Sequence, residues 1–173
     1  MKKILVVIDM QNDFIDGSLG TEEALDIVPK VIEKIKEYKK ENIFATRDTH
    51  DKEYLSSLEG KYLPIIHCLK NTNGWEIQKD IGDLIDPKNI FNKPCFGSTE
   101  LAIHLAKLNT KEPIEVELVG LCTDICVISN AILIKSNLIN TEVTVDSSCC
   151  AGVSKKSHET ALNAMEALQI IIK

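Results

Sequence analysis

The stretch "IEVELVGLCTDICVISN", residues 114–130, changes its period halfway. Residues 114–119 form a short run rich in β-branched and apolar side chains, as a buried strand requires. From Asp124 to Asn137 the apolar positions recur at helical spacing instead. Between them "GLCTD" offers a glycine, a cysteine and two capping residue types, which is turn chemistry. A strand passing straight into a helix is half of a βαβ unit, so the fold depends on whether the unit repeats.

Working outward, it does. Strand-like runs stand at 3–8 (KILVVI), 43–46 (IFAT), 90–93 (IFNK), 142–145 (EVTV) and 167–172. Helical spacing appears at 22–40, with Ile27, Val31, Ile32 and Ile35 on one face, despite Pro29 in its interior. It recurs at 98–108, where Ser98 is the N-cap candidate, and at 154–166. No repeat, low-complexity tract or linker interrupts the alternation. Strands alternating with helices predict one α/β domain over 1–173, Rossmann-like: three layers, α/β/α, around a central, mostly parallel sheet.

Bulk properties agree. The 173 residues can bury a single core, and 44% hydrophobic with 27% charged residues is ordinary globular composition. A net charge of −6 argues against a nucleic-acid partner, which would need a basic stripe. The Lys34 to Lys40 run is broken by Glu37 and reads as a solvated helix face. "MKKILVVIDMQNDF" has too short an apolar run and no cleavage site for a signal peptide, and no stretch is long enough to span a membrane. The expected location is therefore the cytoplasm, where six cysteines stay thiols. Cys149 and Cys150 read as a small buried pair.

In open parallel sheets, ligands bind beyond the carboxyl ends of the strands. Asp9, then Asp48 and His50, then Lys93, then Cys126 each follow or close a strand-like run. Cys126 sits about three residues into a helix that Thr123 or Asp124 would cap, where the helix dipole lowers a thiol from its usual pKa of about 8.5. The alternative for this cysteine is a small buried hydrophobe. A Cys122/Cys126 metal pair would need two further ligands. In an extended segment Asp48 and His50 point the same way. With His67, and Glu59 from the loop between, they form a set suited to Zn²⁺, Mn²⁺ or Fe²⁺. His104 and His158 fall on helix faces and read as structural. A receiver-like domain would need an acidic pair where Asp9 is followed by Met10. A haloacid-dehalogenase-type phosphatase would need an aspartate where Gln11 stands.

Taken together, "VVIDMQNDF" (6–14), "TRDTH" (46–50), "IIHC" (65–68), "NKPCFGST" (92–99), "GLCTDICV" (120–127) and "DSSCCAGVSKKSHETAL" (146–162) resemble the isochorismatase-like cysteine hydrolases, and among them the nicotinamidase branch. The resemblance runs along essentially the whole chain. It implies a triad of Asp9, Lys93 and Cys126, with one divalent metal, zinc first, held by Asp48, His50, His67 and, in some members, Glu59. It implies a cis peptide before Cys122, and an oxyanion hole made by the backbone N–H groups of Cys122 and Cys126. The implied reaction turns nicotinamide into nicotinic acid and ammonia through a Cys126 thioester, as in NAD salvage. Another small amide, or a non-catalytic redox-sensing role for the cysteine, stands as the alternative. Family members are often homo-oligomers. Nicotinamidases often carry an aromatic just ahead of "P-x-H-C"; this chain reads "YLPIIHC". That leaves Phe14, Phe96 and Trp75 as candidate walls for a substrate ring.

Overall fold

β1 (Lys2–Ile8) sets the frame of the computed structural model, which describes residues 1–173. Ile4, Val6 and Ile8 enter one apolar layer and Leu5 and Val7 the other, all fully buried. A strand covered on both faces has no solvent side, which is why its sequence is apolar without alternation.

Two short helical segments, α1 (Asn12–Ile15) and α2 (Glu22–Lys36), lead to β2 (Ile43–Asp48). Then come α3 (Leu58–Tyr62), α4 (Lys79–Gly82), β3 (Ile90–Lys93), α5 (Thr99–Asn109) and β4 (Ile114–Leu121). A π-helical turn, Thr123–Val127, runs into α6 (Ile128–Asn137). β5 (Val143–Ala151), α7 (Lys155–Ala167) and β6 (Ile171–Ile172) complete the chain. The six strands are all parallel, in the order β3-β2-β1-β4-β5-β6. The chain runs outward from β1 to β3 and then returns to β1's other side with β4. The crevice at that reversal is where such sheets hold ligands.

Helices cover both faces. Leu101 and Leu105 of α5, Ala131 and Ile134 of α6 and Met165 of α7 pack on the even side of β1. Ala24, Ile27, Val31 and Ile35 of α2 and Ile81 of α4 pack on the odd side. Burying Ile27, Val31 and Ile35 contributes about 1.5–3 kcal/mol each, enough to carry Pro29, whose interior position costs about 3 kcal/mol. The Leu25 carbonyl that loses its donor to Pro29 belongs to an exposed residue, so water can reach it. Gly120, at φ +121°, lets β4 lie against β1; a Cβ there would sit 2.1 Å from the Ile8 carbonyl oxygen.

Several boundaries differ from the sequence expectation. α2 begins at the Thr21 cap, whose hydroxyl accepts from the Ala24 N–H (3.0 Å), but stops at Lys36 rather than residue 40. Tyr38 turns inward there to meet Glu117. β5 runs to Ala151 instead of ending at 145, because it bulges. Val145 pairs with Leu118 and Cys150 with Gly120, so Asp146–Cys149 form the extra length. The final strand is only Ile171–Ile172: α7 persists to Ala167, and Gln169 must take φ 62° before the chain can extend. No helix is long and apolar enough to cross a membrane.

Candidate active site

A cavity of about 900 Å³ opens at the carboxyl ends of the strands, and Asp48, His50, Glu59, His67 and Cys126 lie on its wall. Asp9 leaves β1 with φ 45°, a left-handed conformation that non-glycine residues seldom adopt. That turn sends a fully buried carboxylate back toward β2 and β3. Its Oδ1 accepts from Thr46 Oγ1 (2.6 Å), and its Oδ2 lies 2.7 Å from Lys93 Nζ.

Lys93 closes β3 in register with Asp48 of β2. Its ammonium is buried among four partners: Asp9, Asp48 Oδ1 (3.1 Å), the Cys95 carbonyl (3.1 Å) and Cys126 Sγ (3.4 Å). Burial alone would discharge this lysine. Asp9, Cys126 and Asp48 outweigh it and raise the lysine pKa well above the usual value, so the charge stays. Burial pushes the Asp9 carboxyl up, with Lys93 pulling against it.

Cys126 departs from expectation. Burial first, and Asp9 second, push its thiol well above the ordinary range. The expected cap is also absent: Cys122 is the N-cap and caps with no side chain. Thr123 Oγ1 lies 2.7 Å from His158 Nδ1, and Asp124 Oδ1 accepts from the Val153 N–H (3.0 Å). The turn is π-helical, a widening often found where a helix serves a site. The Leu121–Cys122 peptide is cis.

Beside this trio, one ligand atom from each of Asp48, His50, Glu59 and His67 lies within 4.8 Å of the others. His50 Nε2 is 2.9 Å from Asp48 Oδ2 and 3.6 Å from Glu59 Oε1; His67 Nε2 is 3.6 Å and 3.8 Å from the same atoms. The His67 Nδ1–H donates to the Ile65 carbonyl (2.8 Å), which turns Nε2 toward the cluster. Burial would raise Asp48, but hydrogen bonds from His50 and His67 and the Lys93 charge hold it far below the usual carboxylate range. Glu59 is raised by its burial and by Asp48. Two imidazole nitrogens and two carboxylates in such a cluster fit a borderline divalent cation.

Phe14 and Phe96 line the cavity; Trp75 does not. Its indole N–H donates to Thr49 Oγ1 (2.8 Å) and its ring carries the Arg47 guanidinium at 3.4 Å, so it braces the β2 end instead of walling a substrate. His104 packs against Phe44 and Phe91, and Cys149 and Cys150 are buried.

Other residues hold the site without having stood out in sequence. Gln11 clamps Asp48 from both sides: its Oε1 accepts from the Asp48 N–H (2.7 Å), and its Nε2 donates to the Asp48 (2.8 Å) and Trp75 (2.9 Å) carbonyls. Asp13 Oδ2 accepts from the Cys68 N–H (2.7 Å), steadying the His67 segment. Fully buried Asn130 donates to the Cys126 (2.8 Å) and Phe96 (3.1 Å) carbonyls and accepts from the Ser98 N–H (2.9 Å). The only sequence signal for Gln11 and Asp13 was their place directly behind the apolar first strand.

The fold is that of a hydrolase family: residues 3–172 match the isochorismatase domain model, and the chain belongs to that family. Among characterised relatives it is similar to the nicotinamidase of Schizosaccharomyces pombe, 30% identical over 91% of this chain and 86% of that one. Among solved structures it is similar to the pyrazinamidase of Pyrococcus horikoshii in complex with zinc (29% identity, TM-score 0.79, 100% and 99% coverage). It is also similar to the pyrazinamidase/nicotinamidase of Streptococcus mutans UA159 (26% identity, TM-score 0.83, 99% and 100% coverage). It is an isochorismatase-family hydrolase of the nicotinamidase/pyrazinamidase-like kind.

Proposed function

We propose that this chain hydrolyses nicotinamide, or a closely related aromatic carboxamide, to the acid and ammonia through a thioester on Cys126. One observation carries the reading: a buried ammonium, Lys93 Nζ, touches Asp9 (2.7 Å), Cys126 (3.4 Å) and Asp48 (3.1 Å) beside a largely apolar cavity.

Asp9 takes the Cys126 proton, and sulfur attacks the amide carbon. With reference pKa values of about 8.5 and 3.9, that transfer runs roughly 4.6 units, about 6 kcal/mol, uphill. Burial raises Asp9 and so narrows the gap from the acid side. The thiol's own elevation owes part to the Asp9 charge, which disappears when Asp9 accepts the proton. Lys93 faces an anion before and after, so the step relocates a negative charge next to a fixed cation and creates none. The backbone N–H groups of Cys122 and Cys126 then hold the oxyanion. Asp9 returns the proton to the departing nitrogen, the C–N bond breaks, and ammonia leaves. Water attacks the thioester with Asp9 as base, giving the carboxylic acid and restoring the thiol.

Asp48, His50, Glu59 and His67 would hold a divalent cation, zinc ahead of manganese or iron, which when bound supplies an acceptor for a ring nitrogen. Phe14 and Phe96 border the same space and would keep the ring over the sulfur, so the site works by positioning. A redox-sensor reading fits less well, because sensing thiols are solvent-exposed whereas this one is buried.

The test is ammonia release from nicotinamide, pyrazinamide and an aliphatic amide, using metal-stripped protein reloaded with Zn²⁺, Mn²⁺ or Fe²⁺. The aromatic amides should be hydrolysed, and chelation should depress them more than the aliphatic one. Silence toward both aromatic amides with all these metals would sink the proposal.

A further inference from the structure

We infer that the cavity is shaped for aromatic carboxamides bearing a second, uncharged apolar ring or chain. The inference rests on the amidase reading above and specifies its substrate class.

Size comes first. About 900 Å³ lies toward the upper end of the roughly 300–1,000 Å³ usual for ligand pockets, more than a single-ring amide fills. The chemistry also changes with depth. Beside the sulfur are the carboxylates and imidazoles of Asp48, His50, Glu59 and His67. At the rim stand Leu58 and Tyr62 of α3 and Val153 behind β5, which are 72%, 84% and 59% exposed. Side chains from two separate segments thus form an apolar collar continuous with the reactive space. Large apolar groups gathered in this way mark a binding groove. An extension of the substrate that covered them would remove apolar surface from water on both partners.

No lysine or arginine lines the cavity, and the Lys93 side chain is fully buried behind its wall, so the apolar rim offers an acidic extension no counter-charge.

The experiment compares kcat/KM for nicotinamide, quinoline-3-carboxamide and 5-phenylnicotinamide, using metal-loaded enzyme. At least one extended amide should exceed nicotinamide by about tenfold, mainly through a lower KM. In Leu58→Ser and Tyr62→Ser the ratio of extended amide to nicotinamide should fall toward one. If nicotinamide is turned over and every extended amide is slower, the inference is overturned; a collar that only seats another copy of the chain would give that result. Absence of ammonia from every amide, nicotinamide included, removes the amidase reading itself.

Discussion

At the scale of single residues, Cys122 and Cys126 separate main-chain from side-chain roles. Both border the cavity, but only the Cys126 sulfur lies against Lys93. Cys126→Ala should lose at least about a thousandfold in kcat, because a covalent route has no substitute nucleophile. Cys122→Ala keeps its N–H and should stay within about an order of magnitude of the parent. Steady-state ammonia release, with circular dichroism to confirm folding, distinguishes them; equal losses would point to a shared metal role for the two thiols. That Asp9, Lys93 and Cys126 share one rim could be read from sequence because each ends or follows an apolar run; their grouping as a triad came only with the family resemblance. Gln11 and Asn130 could not. Their long-range partners are backbone atoms of residues remote in sequence, and nothing local in a glutamine or asparagine names such a partner. Trp75 misled for the opposite reason: a large aromatic near a site suggests a wall, and here its surface is taken by Arg47 and Thr49.

At the scale of elements, the site depends on α6 being tied to the segment behind β3. Asn130 makes that tie, joining the Cys126 carbonyl to Phe96 and Ser98, and its amide has no solvent to fall back on. Asn130→Ala should cost on the order of 1–3 kcal/mol for each backbone group left unsatisfied, read as a lower urea midpoint. It should also raise KM for aromatic amides as Phe96 loosens. Asn130→Asp keeps the acceptor for Ser98 but sets a buried carboxylate against the Cys126 and Phe96 carbonyls, so at pH 7 it should lose at least as much stability as the alanine variant. Element identity was legible from period, but element ends were not. The β5 bulge, the early stop of α2 and the two-residue β6 are decided by a pairing register, an inward tyrosine and a left-handed Gln169, all of which depend on tertiary neighbours.

At the scale of the whole molecule, α2, β4 and β5 are joined by a second charged cluster apart from the cavity. Lys34 lies 3.0 Å from Asp146 and 3.9 Å from Glu117, and Tyr38 bonds Glu117. Burial would raise the Asp146 pKa, but hydrogen bonds from Ser148 and Lys34 and the lysine's charge prevail, and it falls below the ordinary 3.8. A carboxylate depressed by folding stabilises the native state above its unfolded pKa. That contribution is lost as pH drops from about 4 through the lower folded value. Asp146→Asn should therefore be less stable than the parent at pH 7, by on the order of 1–3 kcal/mol, and should lose less on going to pH 3. Urea midpoints at the two pH values measure both effects; parallel losses in the two proteins would remove Asp146 from the account. The alternation of strands and helices announced the layers, but the strand order was not legible, since parallel pairing is chosen among strands far apart in sequence. One further property of the reaction chamber follows from its lack of surface cations. Amide hydrolysis admits an electrically neutral guest and leaves a negative one. Under the proposed chemistry no lysine or arginine of the lining retains the finished acid, so its grip on the chamber falls to the bound cation and the oxyanion donors alone.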